Sequence, residues 1–352
     1  MKLFQCQACG QPLYFENIRC EKCGRGLGYL PGAETITSLE PGEGGLVALA
    51  DPSRSVRFCA NAEHEVCNWL VATSGPSVYC LACRHNRTIP DLAQADNLLR
   101  WRELETAKHR LFYTLLRLGL PLHHRQEDPK GLAFDFLADE GGSGASVLTG
   151  HDEGLITINI AEADDTERER RRTSMGEPYR TLLGHLRHEV GHYYWNVLVR
   201  HDPSLEQYRS VFGDERADYG EALTRHYEVG APADWRERFV SAYATSHPWE
   251  DFAETWAHYL HMVDTLETAN AFGLHVRPAI APGGSLSAKI DFDPYRESDI
   301  NRLIEAWLPL TFAVNSLNRS MGQPDLYPFV LPPAVIGKMA FIHERIRAER
   351  QG

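Results

Sequence analysis

All eight cysteines of this 352-residue chain lie within its first 83 residues, and this clustering constrains the fold more than any other feature of the sequence. The first four form two CxxC pairs, each followed directly by a glycine: Cys6, Cys9, Cys20 and Cys23. Each CxxC turn directs two thiolates at one ion, and the glycine relieves crowding where backbone amides approach the sulfur atoms. The spacing therefore predicts a zinc ribbon over residues 1–30 that binds a structural zinc ion.

The other four cysteines are spaced more loosely and end in one further CxxC pair: Cys59, Cys67, Cys80 and Cys83. They predict a second structural zinc site with four thiolate ligands within residues 31–95. Paired CxxC spacing in a reducing cytosol argues against disulfides in either set. The spacing leaves iron open as an alternative to zinc, although zinc is the commoner metal in such ribbons.

Terminal sequence and charge indicate where the protein resides and what it does not bind. The N-terminal stretch MKLFQCQACG lacks the apolar core of a signal peptide, and no run of eighteen apolar residues occurs in the chain. We therefore expect a cytoplasmic protein with no membrane partner. The formal net charge of −12 argues against nucleic-acid binding, which requires lysine and arginine to replace phosphate counterions.

The composition changes after residue 95. Apolar spacing predicts a helix over 97–120, and runs bounded by turn residues predict strands over 131–139 and 154–164. The second strand, GLITINI, is expected to offer a free backbone edge to an extended peptide. Further helices are predicted over residues 178–200, 204–228, 234–245, 249–270, 299–319 and 333–349. The predicted fold class is α+β, with zinc-ribbon modules followed by a mostly helical domain, 96–352, that contains a small sheet.

A metal-binding pattern of a different kind, RHEVGHYYW, lies in the middle of the chain. His188 and His192 are four residues apart and share one face of a helix, so both imidazoles can reach one ion. Glu189 projects beside that ion, where it can hold a water molecule and take its proton. His185, one turn earlier, is expected to support the site or face solvent rather than bind the metal.

A third metal ligand is needed, and the sequence offers candidates downstream. Trp195 and Leu198 occupy the positions where a metzincin has glycine and histidine, so that class is excluded. Glu250 and Glu254 lie one turn apart on a helix that Pro248 can begin. The first can bind the metal, and the second can accept the free N–H of a ligand histidine and fix its tautomer.

His247 is not favoured as a ligand. It precedes Pro248, which biases it to an extended conformation off the helix, so it is expected to line the rim of the cleft. On its own, the stretch from Pro248 would be an amphipathic helix with a solvated acidic stripe. Beside the histidine pair, and with Glu250 placed 58 residues after His192, the ligand interpretation is favoured.

The stretch YATSHPWEDFAE, residues 243–254, resembles the active-site helix of anthrax-lethal-factor-like gluzincins. In that group a tyrosine lies seven residues before the ligand glutamate, and a second glutamate lies four residues after it. The chain as a whole resembles the bacterial family of zinc-binding metallopeptidases with an N-terminal zinc ribbon. The matching stretches are the two cysteine clusters, RHEVGHYYW, FGDERADYGEAL, SHPWEDFAETWAHYLH and NSLNRSMGQPDLYPF.

The resemblance implies a zincin-like peptidase domain over 96–352, with a role for each matching residue. It implies a catalytic zinc ion bound by His188, His192 and Glu250, in addition to the two structural zinc ions. Glu189 would then act as general base, Tyr243 would stabilise the oxyanion, and Glu254 would orient a ligand histidine.

The expected function is zinc-dependent hydrolysis of peptide bonds in a peptide or protein substrate. One alternative is a zinc hydrolase of a non-peptide amide or ester, because the motif specifies activated water and not the bond cleaved. The other is a non-catalytic adaptor whose zinc ribbons bind a protein partner. Glu189 and Tyr243 argue against the adaptor, since a purely structural metal site needs neither.

Overall fold

The computed structural model describes residues 2–139, 147–174, 180–280 and 286–351. The chain divides into two compact units, of which the first comprises Met1–Arg117 with Pro121–Arg170, and the second comprises Leu118–Leu120 with Arg171–Gly352. No helix in the described ranges is both long enough and apolar enough to cross a membrane. Cysteine clusters followed by helices and small sheets confirm the predicted α+β class.

The first unit begins with a hairpin and a five-stranded antiparallel sheet. The hairpin pairs β1 (Phe4–Gln5) with β2 (Pro12–Leu13). The sheet strands are β3 (Leu27–Leu30), β4 (Thr35–Gly42), β5 (Gly45–Ala48), β6 (Asp51–Phe58) and β7 (Leu70–Ala72), adjacent in that order. Alternate side chains of this sheet form a small buried cluster that includes Leu39, Ala48, Val56 and Leu70. The sheet therefore connects the two cysteine clusters through a core of its own.

A four-stranded sheet and one long helix complete the first unit. The elements are β8 (Asn86–Thr88), α1 (Asn97–Leu118), β9 (Ala133–Leu137), β10 (Gly150–Asp152) and β11 (Leu155–Asn159). The sheet order is β10-β11-β9-β8, so β11 is hydrogen-bonded on both sides. The expectation that GLITINI offers a free edge is therefore wrong, because β10 occupies one edge of that strand and β9 the other.

Helix α1 packs on the zinc-ribbon region through aromatic side chains. The ring of Tyr113 lies 5.4 Å from that of Phe15, which lies 5.0 Å from Tyr29, and Tyr29 lies 4.6 Å from Trp69, measured between ring centroids. All four side chains are buried. Ion pairs reinforce the contact, since Arg110 approaches Glu16 at 2.7 Å. The apolar face of α1 is therefore covered by the N-terminal residues.

Helices dominate the remainder of the described chain. They are α2 (Asp165–Ser174), α3 (Leu182–Leu198), α4 (Leu205–Phe212), α5 (Tyr219–Val229), α6 (Trp235–Arg238), α7 (Pro248–Ala271), α8 (Ile300–Ser320) and α9 (Pro333–Gln351), with a hairpin of β12 (His275–Val276) and β13 (Ala288–Lys289) between α7 and α8. The helix predicted over 204–228 is broken between α4 and α5, because Gly213 adopts a φ of +107° that ends α4. The helix predicted over 234–245 is reduced to the short α6 and a 3₁₀ turn, Tyr243–Thr245.

Helices α3 and α7 pack closely where they cross. A Cβ atom placed on Gly191 would lie 3.0 Å from the Cα of Ala253 and 3.2 Å from the indole of Trp256. That indole stacks on Tyr194, with ring centroids 4.9 Å apart. Because neither Gly191 nor Ala253 carries a long side chain, the two backbones approach closely enough for polar side chains of both helices to meet.

Candidate metal centres

The first cysteine cluster has the geometry of a tetrahedral metal site. The Sγ atoms of Cys6 and Cys23 lie 3.7 Å apart, and those of Cys9 and Cys20 lie 3.6 Å apart. Four sulfur atoms at 2.3 Å from a tetrahedral zinc ion would be about 3.8 Å from one another. A disulfide would bring two of them to about 2.0 Å. The four cysteines are free thiols whose separations fit zinc, and a zinc ion bound by all four stays a prediction.

Local backbone structure explains how each CxxC pair turns toward the ion. Gly10 and Gly24 both adopt a φ of +73° and donate their N–H groups to the carbonyls of Cys6 and Cys20. Residues with a Cβ atom rarely adopt this conformation, which accounts for the glycine after each pair. Burial opposes ionisation of Cys6, but the hydroxyl of Ser38 and nearby backbone amides lower the pKa of its thiol to about 6. A lowered thiol pKa favours the thiolate at Cys6. At Cys9 a backbone hydrogen bond from Gln11 opposes the effects of burial and of the neighbouring thiols, which together raise the pKa to about 12.

The second cysteine cluster is more deeply buried. The ligand atoms of its four cysteines lie within 4.8 Å of one another, and the Sγ atoms of Cys67 and Cys80 are 3.8 Å apart. Backbone N–H groups point at the sulfur atoms, among them that of Cys80 at 3.3 Å from Cys59 and that of Trp69 at 3.4 Å from Cys67. The separation fits zinc as well as that of the first cluster does. Two residues that sequence reasoning missed, Glu105 and His109 on α1, also lie against this cluster.

Helices α3 and α7 bring the third set of candidate ligands together. The ligand atoms of His188, His192 and Glu250 lie within 4.8 Å of one another, and all three side chains are buried. The carboxylate of Glu250 is 3.0 Å from Nε2 of His188 and 3.5 Å from Nε2 of His192. Ligands at about 2.0 Å from a tetrahedral zinc ion lie about 3.3 Å apart, so two imidazoles and a carboxylate at these separations fit zinc.

Electrostatics within this set favour a cation. Burial opposes ionisation of Glu250, but the imidazoles of His192 and His188 hold the pKa of its carboxyl well below the ordinary value. Burial would likewise lower the pKa of His188, but the carboxylates of Glu250 and Glu254 raise it well above the ordinary value. In the metal-free site, a proton on His188 therefore supplies the positive charge beside these carboxylates that a divalent cation would otherwise supply.

Glu254 lies behind His188, one turn after Glu250 on α7. Its Oε1 accepts a hydrogen bond from Nδ1 of His188 at 2.8 Å, and its Oε2 accepts one from the hydroxyl of Ser241 at 2.6 Å. An N–H fixed on Nδ1 leaves Nε2 of His188 free to bind metal. Glu254 therefore contacts the ring of His188 on the nitrogen that faces away from Glu250, and Ser241 holds its carboxylate; its role in orienting a metal ligand stays a prediction.

Glu189 projects from α3 beside the two histidines. Its carboxylate is buried and lies 3.1 Å from Nε2 of His185, one turn earlier on the same helix. Burial opposes ionisation, but His185, His188 and His192 lower the pKa of Glu189 below its ordinary value. The carboxylate is therefore ionised at neutral pH and able to accept a proton.

Two tyrosines border the set. Tyr243, in the 3₁₀ turn before α7, has its ring centroid 6.0 Å from that of His188, and burial raises the pKa of its phenol. Tyr219, the first residue of α5, donates its hydroxyl to Oε1 of Glu250 at 2.7 Å. Sequence reasoning did not assign Tyr219, although it lies in the stretch FGDERADYGEAL that carries part of the family resemblance.

His247 has a structural role that differs from the predicted one. It is extended before Pro248, as expected, with φ −156° and ψ 149°. It does not line a cleft rim, because its side chain is only 3% exposed. Its Nδ1 accepts the N–H of Trp249 at 3.1 Å and so caps α7, while its Nε2 donates to the carbonyl of Ala217 at 3.1 Å.

The described residues thus contain two four-thiolate clusters and a buried set of two histidines and a carboxylate, which are donor sets of a zinc-binding protein with an N-terminal zinc ribbon. Residues 97–345 match the family described as "putative zinc-binding metallo-peptidase", and residues 3–94 match a zinc-ribbon domain family. The chain belongs to the first of these two families, the zinc-binding metallo-peptidases.

Relatives of similar length occur in mycobacteria. A protein of Mycobacterium bovis and proteins of two strains of Mycobacterium tuberculosis, each named as uncharacterized, are 45% identical to this chain over 345 residues. The aligned region covers 97% of this chain and 94% of each relative. No solved structure matches the chain. The family matches divide between residues 94 and 97, whereas the compact units divide near residue 170, so a domain boundary at 95/96 stays a prediction.

Proposed function

We propose that this protein is a zinc-dependent peptidase that hydrolyses peptide bonds in a peptide or protein substrate. The observation that carries the proposal is the convergence of His188, His192 and Glu250, with the ionised carboxylate of Glu189 beside them. A structural metal site does not need such a carboxylate, whereas hydrolysis needs a base next to the attacking water. Membership of the zinc-binding metallopeptidase family supports the same reaction class.

The ligand set fits a catalytic zinc ion, which when bound would polarise a substrate carbonyl and lower the pKa of a water molecule. Glu189 would accept the proton of the attacking water and then deliver it to the leaving amine. Its contact with His185 holds the carboxylate in one orientation. Glu254 and Ser241 hold the ring of His188 in the tautomer that leaves Nε2 free.

Tyr243 would donate a hydrogen bond to the oxygen of the tetrahedral intermediate. Because burial raises the pKa of its phenol, the hydroxyl keeps its proton at neutral pH and remains a donor. A donor aimed at charge that develops in the transition state contributes about 3 kcal/mol. Tyr219 differs in role, because its hydroxyl is directed at the ligand Glu250.

The test compares the wild type with Glu189→Gln by mass-spectrometric identification of peptide fragments released from a cell extract. We expect fragments that accumulate with the wild type and not with the variant, while the variant retains its metal content. Glu206→Gln makes the same change at an exposed position on α4 and should release the same fragments as the wild type.

The same comparison of the wild type with Glu189→Gln separates the alternative functions. If only small amides or esters are hydrolysed, and in a manner that depends on Glu189, the protein is a zinc hydrolase of another substrate class. If the wild type and Glu189→Gln behave alike on peptides, amides and esters, the proposal of a hydrolase is wrong and the adaptor function gains support.

A further inference from the structure

The second cysteine cluster has a fifth metal-binding group next to it. Helix α1 directs the imidazole of His109 at the cluster, so that its Nε2 atom lies 3.3 Å from Sγ of Cys67, 3.6 Å from Cys83 and 3.9 Å from Cys80. The side chain of His109 is buried, with 5% of its surface exposed. A buried ring nitrogen requires a partner, and within the described part of the chain this one has sulfur atoms of the cluster as its hydrogen-bonding neighbours.

The tautomer of His109 is set on the other side of the ring. Its Nδ1 lies 2.6 Å from the carbonyl oxygen of Glu105, one turn earlier on α1. A carbonyl oxygen can only accept, so Nδ1 carries the proton and donates it. In the neutral ring Nε2 then has a free lone pair that faces the three sulfur atoms, which is the arrangement of a histidine metal ligand.

The distances fit a mixed nitrogen and sulfur site. A tetrahedral zinc ion with Zn–N of about 2.0 Å and Zn–S of about 2.3 Å separates nitrogen from sulfur by about 3.6 Å. The three observed separations, 3.3, 3.6 and 3.9 Å, lie around that value. Cys67, Cys80, Cys83 and His109 therefore form a second four-donor set that shares three sulfur atoms with the four-cysteine set.

A buried polar network holds this turn of α1 in place. Lys108 donates to the carboxylate of Glu105 at 2.7 Å and also to the side chain of Asn86, and Asn86 donates to Glu105 at 2.7 Å. The side chains of Lys108 and Glu105 are fully buried. Such a network is costly unless every member is satisfied, so the backbone carbonyl that orients His109 is rigidly placed.

We propose that the second cysteine cluster is a five-donor zinc site in which His109 and Cys59 are alternative fourth ligands. In the exchange the Zn–S bond to Cys59 breaks, with both bonding electrons leaving on the thiolate. The Zn–N bond to His109 forms from the lone pair of Nε2, and no oxidant or reductant is involved. Cys67 and His109 also line a cavity of about 550 Å³.

The test uses the full chain loaded with zinc or cobalt and compares Cys59→Ser with Cys67→Ser. We expect Cys59→Ser to keep its second structural metal ion, with the thiolate-to-cobalt absorption of that site reduced by about a quarter because three of four thiolates remain. Cys67→Ser belongs to both donor sets and should lose the ion. The double variant Cys59→Ser/His109→Ala should also lose it.

The first cluster provides the matched control. Among the described residues no histidine joins that cluster, so Cys20→Ser should lose its ion outright. The proposal is overturned if Cys59→Ser loses metal as completely as Cys67→Ser, or if the double variant binds as Cys59→Ser does. A Cys59→Ser chain that is as poorly folded by circular dichroism as Cys67→Ser also overturns it, because His109 would then have failed to hold the metal.

Discussion

Replacing Glu254 by alanine tests whether its carboxylate orients His188, a proposed metal ligand. The change removes a carboxylate that accepts hydrogen bonds from His188 at 2.8 Å and from Ser241 at 2.6 Å, without removing any proposed ligand. Loss of such an orienting group typically weakens metal binding 10–100-fold, or about 1.4–2.7 kcal/mol. We expect Glu254→Ala to fall in this range, and Glu254→Gln to lose less because its amide oxygen can still accept the N–H of His188.

In the assay, a chromophoric chelator competes with the protein for zinc. The measurement follows the metal ion that is not bound by cysteine thiolates. Glu250→Ala should abolish binding of that ion. His247→Ala should retain it, although loss of the helix cap would cost about 1 kcal/mol of stability. The ligand assignment is refuted if Glu250→Ala retains the ion while Glu254→Ala loses it, and the orienting role of Glu254 is refuted if Glu254→Ala binds as the wild type does.

Four further outcomes are expected. Metal analysis of the purified chain should find three ions per molecule, and Cys67→Ser should contain one fewer; a total near one, with freely titratable thiols, would contradict both structural sites. Gly191→Val forces a branched side chain against the backbone of Ala253 and should lower the free energy of unfolding in urea by about 1–3 kcal/mol or more. Tyr243→Phe should lower kcat about 100-fold, with a smaller effect on KM, if its hydroxyl acts in the transition state. Because the pKa of His188 is raised in the folded chain, its proton stabilises the metal-free fold at pH values below the ordinary histidine pKa, and this stabilisation is lost as the pH rises through the raised value. Zinc must displace the same proton from His188. The affinity of the protein for zinc should therefore rise with pH over that window in a chelator titration.

Local patterns in the sequence were sufficient for the long helices and the short-range metal motifs. Helix α7 was expected over 249–270 and spans Pro248–Ala271, because a proline at the first turn and a long apolar periodicity both define it. The histidine pair and the CxxC pairs are likewise spaced by the geometry of a single turn. The assignment of Glu250 as a ligand stays a prediction, although the structure brings it to His188 and His192.

Groups that depend on tertiary packing were not accessible from the sequence. His109 lies 26 residues after Cys83, and Tyr219 lies 31 residues before Glu250, so neither belongs to a motif with its neighbours in space. Ser241 acquires its role from a hydrogen bond to Glu254, and the burial of His247 involves a hydrogen bond to the carbonyl of Ala217, 30 residues earlier in the chain. The paired edges of GLITINI follow from strand order, which periodicity within one strand cannot reveal.

Helix α1 determines where the chain can be divided for separate expression. The metallopeptidase family match begins at residue 97, yet the rings of α1 pack on Phe15 and Tyr29 on the other side of that point. A fragment that starts at residue 97 would carry α1 with its aromatic face uncovered, and a fragment that ends at residue 94 would lack the helix that buries those rings. A fragment that ends near residue 170 keeps both cysteine clusters, α1 and the four-stranded sheet together, and is the one expected to remain soluble and to fold around its metal ions.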